Sequence, residues 1–174
     1  SAFAKLNTYQ TFITFNIDEN LSNKLHKDEI IKVKFEVDCN PSLGFNIESK
    51  WITTPELATI NILDIGSLFS GKIHALLCRN YKNRVKGRDF YDFIFYINKN
   101  IKPNLNYLKN KLVESRVIND DDEFNIDILK EMLINRFNQI DFNQVKDDAQ
   151  KFLMGNENLS YYCKELFIDC VNRM

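Results

Sequence analysis

Glycine and proline are scarce in this sequence, which contains five Gly and three Pro among its 174 residues. These two residue types mark many tight turns and interrupt regular helices. Their scarcity therefore predicts few tight turns and a large helical content.

The four cysteines lack the spacing of a metal site. They form no C-x-x-C pair, and no histidine is spaced from them in a way that suits zinc. Cys163 and Cys170 are seven residues apart, which puts them on one helical face but too far apart along it for a disulfide bond. We expect all four cysteines to be free, reduced and partly buried.

Long apolar runs and a strong net charge are also absent. No apolar run reaches the roughly 20 residues that a transmembrane helix needs, and no signal peptide is visible. The sequence therefore predicts a cytoplasmic protein with no membrane partner. Because the formal net charge is −1, any contact with a nucleotide or RNA has to depend on a local patch of cations.

Apolar residues are sufficient for a folded core. The hydrophobic fraction is 44% and the chain contains 14 Phe, which is typical of a globular protein. A chain of this length fits one domain, or one domain with a helical extension.

Residues 67–97 predict two amphipathic helices joined by a basic loop. Their apolar residues recur at steps of three and four, at Leu68, Ile73, Leu76, Leu77, Phe90, Phe93, Ile94 and Ile97. The polar residues beside and between them are Lys72, His74, Arg79, Lys82, Arg84, Lys86, Arg88, Asp89 and Asp92. A phosphate-bearing ligand is the simplest reason for so many cations and two acids in one cluster. The alternative is an ordinary solvated surface between two helices.

The arrangement of these residues favours a site. Lys72 lies four residues from both Leu68 and Leu76, so its aliphatic stem should follow the core while its ammonium emerges at an edge. Asp89 falls in the first turn of the second helix, where the helix dipole stabilises a carboxylate. Asp92 follows three residues later and therefore shares its helical face.

Residues 30–38, IIKVKFEVD, predict a strand. The alternation puts Val33, Phe35 and Val37 on one face. The opposite face carries charged side chains, those of Lys34, Glu36 and Asp38. An ordinary half-exposed strand with a charged outer face is one interpretation, and a carboxylate ligand of a metal ion is the other.

The segments LFSGKIHALLCR and RVKGRDFYDFIFYI resemble the carboxyl-terminal signature of the AbiEii/AbiGii-type nucleotidyltransferase toxins, a branch of the DNA polymerase β-like nucleotidyltransferase superfamily. The resemblance is strong over residues 67–97 and moderate over residues 30–41. It implies an active site completed by a K-x-H-A-L helix and an R-D-x-x-D helix. It also implies transfer of a nucleoside monophosphate from an NTP to a protein or to an RNA such as tRNA, with Mg²⁺ as cofactor.

The resemblance implies a role for each charged residue of the cluster. Lys72 would contact the triphosphate as a point charge, and Asp89 or Asp92 would orient Lys72 or the attacking group. Glu36 or Asp38 would be a ligand of Mg²⁺, and the sequence leaves open which of the two it is. The phosphates of the nucleotide or acceptor would be bound by Arg79, Arg84, Lys86 and Arg88.

His74 follows Lys72 by two residues and therefore points in another direction on the same helix. We expect it to be a hydrogen-bonded structural histidine and not a catalytic base. Phosphoryl transfer depends mainly on positioning and charge stabilisation, so it does not require a histidine.

The sequence departs from the family in one respect. No G-S or G-G turn followed by D-x-D precedes residue 30, and in the superfamily that pair supplies further metal ligands. The chain also begins SAFAKLN, without an initiator methionine. We therefore expect a carboxyl-terminal fragment, or else a divergent paralogue, that is inactive by itself.

The whole chain predicts an α+β fold. Three further segments alternate as strands do, residues 11–17, 45–52 and 57–63. We expect these strands to form part of a mixed β-sheet of nucleotidyltransferase type, in residues 1–66. Residues 67–174 should form a helical bundle, with later helices at residues 103–116, 125–140, 142–154 and 159–171. Asn125 or Asp127 should cap the second of these helices and Asp141 the third.

Two functions therefore remain open. The first is the carboxyl-terminal part of a toxin-type nucleotidyltransferase, with an NTP, an acceptor and a cognate antitoxin as partners. The alternative is a non-catalytic module of a toxin–antitoxin or phage-defence (abortive infection) system. Such a module would bind RNA or a protein such as an antitoxin through the same basic residues.

Overall fold

The computed structural model describes residues 2–7, 30–35, 37–54, 56–81, 85–153 and 159–174. The chain divides into two compact units, Ser1–Pro41 and Ser42–Met174. The predicted division at residue 66 separates strands from helices, and it stays a prediction.

The described part of the first unit is one antiparallel strand pair. Strand β1 (Ala2–Asn7) pairs with β2 (Ile30–Phe35), so that Ala2 lies opposite Phe35 and Asn7 opposite Ile30. Strand β2 was predicted, but β1 was not, because AFAKLN has apolar residues at both odd and even positions and lacks a clean alternation. The predicted strand at residues 11–17 lies outside the described residues.

The second unit begins with a β-hairpin. Strand β3 (Ile47–Ile52) pairs in antiparallel register with β4 (Ala58–Leu63), with Ile47 opposite Leu63 and Ile52 opposite Ala58. Both strands were predicted to within two residues. The described strands thus form two antiparallel pairs, β1 with β2 and β3 with β4. The short connection of β3 to β4 imposes this pairing, since closely connected strands can only run antiparallel.

Six helices follow in the described residues. They are α1 (Ile65–Cys78), α2 (Gly87–Asn98), α3 (Leu105–Glu114), α4 (Ile126–Asn138), α5 (Phe142–Gln150) and α6 (Lys164–Asn172). Together with the strands, they confirm the predicted α+β class. Among the described residues, no helix has both the length and the apolar character that crossing a bilayer requires.

Side-chain caps explain where several helices begin. The side chain of Asn125 accepts hydrogen bonds from the backbone N–H groups of Asp127 and Ile128, and that of Asp141 accepts one from Asn143. These contacts satisfy N–H groups that have no partner inside the helix. The caps predicted at Asn125 and Asp141 are therefore confirmed.

The predicted start of the last helix at residue 159 is wrong by five residues. Leu159 and Tyr162 are buried, but they belong to a turn in which the Tyr162 N–H donates to the Leu159 carbonyl at 3.0 Å. Helix α6 begins only at Lys164. Apolar spacing cannot tell a buried turn from a helical turn, because both place residues three apart on one side of the chain.

Helix α2 lies in an aromatic core. Phe90 and Phe93 of α2 have no solvent exposure, and neither have Phe137 of α4 and Phe167 of α6. The rings of Phe90 and Phe167 are 5.5 Å apart, and those of Phe93 and Phe137 also 5.5 Å, in edge-to-face arrangements. Such pairs contribute about 0.5–1.5 kcal/mol beyond the burial of their area. The rotation of α2 about its axis is set by these contacts.

The first residue of α2 is Gly87, which packs directly on α5. Its N–H donates to the Asp148 side chain at 2.9 Å. A Cβ atom at Gly87 would come closer than 3.0 Å to the backbone of Val145 and Ala149. The glycine therefore permits a close approach of two backbones at the first turn of α2.

We expect Gly87→Ala to lower the free energy of unfolding by about 1–3 kcal/mol, because the backbone of α5 has to move away from the added methyl group. Gly71→Ala is the matched control, since Gly71 lies inside α1 with no atom within 4 Å of an added Cβ. That variant should be stabilised by up to about 1 kcal/mol through helix propensity. Urea unfolding of both variants measures the difference, and equal stabilities would contradict the close packing.

Candidate functional site

Two ion pairs join the predicted helices α1 and α2. The Lys72 ammonium lies 2.7 Å from a carboxylate oxygen of Asp92, and the Arg79 guanidinium pairs with the Asp89 carboxylate. Arg79, the residue just after α1, meets the earlier acid of α2, as expected for helices that run antiparallel. The structure thus brings four of the predicted site residues together as two pairs.

The Lys72–Asp92 pair is only partly shielded from water. The side chains are 44% and 31% exposed, and ion pairs of this kind contribute about 0–1 kcal/mol to stability. Beside it, the phenol of Tyr96 has a pKa raised by burial, with Lys72 lowering it and Asp92 raising it. An ammonium has three N–H donors, so Lys72 can contact Asp92 and a second anion together.

The Arg79–Asp89 pair has a different environment. Asp89 is buried, with 3% of its side chain exposed, whereas Arg79 is 37% exposed. The Tyr81 hydroxyl also donates to the Asp89 carboxylate, at 3.4 Å. Because a carboxylate removed from water needs a partner, Arg79 compensates a buried charge. A guanidinium has five N–H donors, so this ion pair does not by itself prevent a contact between Arg79 and a phosphate.

Arg136 of α4 holds the end of α1. Its Nε donates to the Leu76 carbonyl at 2.9 Å, and one of its terminal nitrogens donates to the Arg79 carbonyl. Its guanidinium also lies 4.8 Å from the centre of the Tyr81 ring. The pKa of the Tyr81 phenol is strongly raised, first by burial and then by the Asp89 carboxylate.

Sequence reasoning missed Arg136 and Tyr81. Arg136 is 60 residues away from Leu76 in the chain, and nothing in the local pattern connects the two. The one available signal was an arginine in the last turn of an amphipathic helix, a position at which a cation is favoured by the dipole of its own helix.

The other predicted phosphate-binding residues differ in exposure. Lys86 is the N-cap residue of α2 and is partly buried. Arg88 is exposed on the first turn of α2. Arg84 lies outside the described residues, as does Lys82.

The predicted metal ligands belong to the first unit. Glu36 lies outside the described residues. Strand β2 ends at Phe35, so Asp38 is not on the strand as predicted. It is exposed and its Oδ1 accepts a hydrogen bond from the Asn40 backbone at 3.1 Å. Across the residues that the structure describes, no three His, Cys, Asp or Glu side chains come together in a way that could hold a metal ion.

His74 faces the end of α3. Its Nε2 is 2.7 Å from the Ser115 hydroxyl, whereas Lys72, two residues earlier, contacts α2. The pKa of His74 is lowered, first by burial and then by the nearby Lys111 ammonium. These contacts agree with the predicted structural role.

Comparison with known families identifies one match. The family described as nucleotidyl transferase AbiEii toxin, of a type IV toxin–antitoxin system, matches residues 9–165. This range contains both helices of the candidate site and most of the chain. No curated protein and no solved structure matches the chain.

The lowered pKa of His74 predicts a stability change at mildly acidic pH. The folded protein binds this proton less readily than the unfolded chain, whose histidine titrates near 6.5. The stability contributed by neutral His74 is therefore complete above that pH and is lost as the pH falls toward the folded pKa.

We expect His74→Gln, which can keep a hydrogen bond to Ser115, to lose less stability than the wild type between about pH 7.5 and pH 5.5. Thermal unfolding at both pH values measures the difference, in a range where most carboxylates stay ionised. An equal loss in both proteins would show that His74 does not titrate in this way.

Proposed function

The chain belongs to the AbiEii nucleotidyltransferase toxin family, and on that premise we propose that its α1–α2 pair binds the NTP of a nucleotidyl transfer reaction. The reaction would move a nucleoside monophosphate from an NTP to an RNA or protein acceptor. An acceptor oxygen would bond to the α-phosphorus, and the bond from that phosphorus to the β-phosphate oxygen would break, so that pyrophosphate leaves. The observation that carries this proposal is the half-exposed Lys72 ammonium held by Asp92 across the two helices.

Lys72 would bind a phosphate oxygen of the triphosphate. A lysine acts as a point charge on a flexible stem, and the Asp92 carboxylate at 2.7 Å limits where this charge can lie. Charge stabilisation that is already in place before the reaction is the main protein contribution to phosphoryl transfer. We therefore assign the orienting role to Asp92, the acid that contacts Lys72.

Asp89 would position the guanidinium of Arg79. It pairs with Arg79, so we assign it the positioning of Arg79 near the nucleotide or acceptor phosphates. Lys86 and Arg88 would add phosphate contacts at the start of α2, where the helix dipole also favours an anion. Arg84, outside the described residues, stays a predicted phosphate-binding residue.

Membership of a nucleotidyltransferase family suggests a divalent metal cofactor, and we propose Mg²⁺. The exposed Asp38 carboxylate has the oxygen donors that this ion prefers, and Glu36 is the other predicted ligand. When bound, the metal would stabilise negative charge on the phosphate oxygens.

A type IV toxin–antitoxin system suggests an antitoxin as partner and a nucleotide as substrate. We propose a cytoplasmic location for this reaction. The inactivity of this chain by itself stays a prediction, since it depends on the lack of a recognisable D-x-D pair in the printed sequence.

Lys72→Ala, made in the full-length protein, should lower NTP-dependent transfer at least about 100-fold, as expected for the loss of a preorganised charge. Its unfolding free energy should change by less than about 1 kcal/mol, because the ion pair is half exposed. Transfer of radiolabel from an α-labelled NTP and urea unfolding measure the two effects.

Lys50→Ala is the matched control. Lys50 forms a surface ion pair with Glu48 at 3.1 Å on strand β3, so its removal also deletes a lysine and breaks an ion pair. This variant should keep wild-type transfer. Wild-type turnover in Lys72→Ala would remove Lys72 from the mechanism.

The non-catalytic binding module predicts a different result, because it uses every cation of the cluster for RNA. In our proposal Lys72 contacts the NTP and not the RNA. Without NTP, the affinity of Lys72→Ala for a single-stranded RNA probe should therefore stay within about twofold of that of the wild type. The slope of log affinity against log salt concentration should not change either. Arg88→Ala should bind the RNA less tightly, with a salt slope reduced by about 0.7.

Fluorescence anisotropy at several salt concentrations measures both variants. An equal loss of affinity in Lys72→Ala and Arg88→Ala, without any effect of Lys72→Ala on transfer, would favour the binding module.

A further inference from the structure

The C-terminal end of α1 has carbonyl groups that the helix itself cannot satisfy. The Ala75 carbonyl accepts the Arg79 N–H at 3.1 Å. Arg136 supplies donors to two others, the carbonyls of Leu76 and Arg79. A cation at this end of a helix is also favoured by the helix dipole. The backbone that carries Arg79 is therefore held by a side chain from a distant helix.

Tyr81 extends this contact to α2. One face of its ring lies below the Arg136 guanidinium at 4.8 Å. The ring centre is 6.0 Å from that of Phe90, and the hydroxyl donates to Asp89 at 3.4 Å. Arg136, Tyr81 and Asp89 thus connect α4, the end of α1 and the first turn of α2.

A matching contact holds the beginning of α2. The Gly87 N–H donates to Asp148 of α5, in a buried environment. The backbone is therefore held at Arg79 by α4 and at Gly87 by α5. Three of the predicted phosphate-binding cations lie at or next to these two places, Arg79, Lys86 and Arg88.

We propose that Arg136 is a positioning residue for Arg79 and for the first turn of α2, and thereby sets the affinity of the site for the phosphates of the NTP. This inference rests on the proposed function. Arg136 bridges the carbonyls of two residues three positions apart, and only a forked donor has the geometry for that contact. Without the bridge, the Arg79 and Leu76 carbonyls each lose a hydrogen bond, whereas Lys72 and Asp92 keep their own contact.

Arg136→Met and Arg136→Lys in the whole protein test this role. The methionine variant removes both hydrogen bonds and the cation above Tyr81. The lysine variant keeps the charge but can serve only one carbonyl well. Arg173→Met is the matched control, because Arg173 forms an exposed ion pair with Asp169 on α6.

We expect the KM for the NTP to rise about tenfold in Arg136→Met, the change that corresponds to one lost charge-assisted phosphate contact. The rise should be smaller in Arg136→Lys, and kcat should stay within about twofold of the wild type in both. Arg173→Met should keep both constants. An unchanged KM in Arg136→Met would overturn the proposal.

Amide hydrogen exchange provides a readout that does not depend on activity. In Arg136→Met, exchange should become faster at residues 79–81 and 85–89, while the protected amides of α3 and α6 keep their wild-type rates. Faster exchange in all helices, together with a loss of kcat, would show a general structural role and overturn the proposal.

The exchange data also separate this inference from the proposed function. A wild-type whole protein without NTP-dependent transfer would refute the nucleotidyl transfer reaction. In that case, faster exchange in Arg136→Met that is confined to residues 79–81 and 85–89 would still support a positioning role of Arg136. Unchanged exchange at these residues would overturn that role.

Discussion

The burial of α2 in the aromatic core is the constraint on which the candidate site depends. Phe90 and Phe93 direct one side of the helix into a cluster formed with Phe137 and Phe167, and Gly87 lets its first turn touch the backbone of α5. With the helix held in this rotation, the two acids at positions 89 and 92 can only face α1. The charged contacts are therefore a consequence of apolar packing, which contributes far more free energy than partly exposed ion pairs do.

The two ion pairs between α1 and α2 have different physical roles because their burial differs. A carboxylate that is 3% exposed has lost its contact with water and needs a partner, so the pairing of Arg79 with Asp89 is part of the protein's structure. Asp92 and Lys72 remain close to water, and their contact costs little to rearrange. A ligand phosphate can compete for an ammonium in such a pair much more easily than for the partner of a buried acid. This contrast is the physical basis for assigning the NTP to Lys72.

The later helices hold the ends of the two helices of the candidate site. α4 supplies Arg136 to the end of α1, and α5 supplies Asp148 to the beginning of α2. Both side chains bind backbone groups at helix ends, where hydrogen-bonding partners are missing inside the helix. The helical bundle thus holds the end of α1 and the beginning of α2 in place.

The sequence by itself determined the features that depend on neighbours along the chain. The apolar spacing of α1 and α2, the strands β3 and β4 and the caps at Asn125 and Asp141 were predictable, because helix faces, strand alternation and capping are local properties. The family resemblance of residues 67–97 was also visible in the sequence, because it depends on the spacing of residues along the chain.

Only the tertiary structure decided which cation meets which acid, that Gly87 is the first residue of α2, and that Arg136 binds the end of α1. A sequence pattern shows which face a side chain occupies, but the partner on the opposite face comes from another element, and packing alone brings the two together.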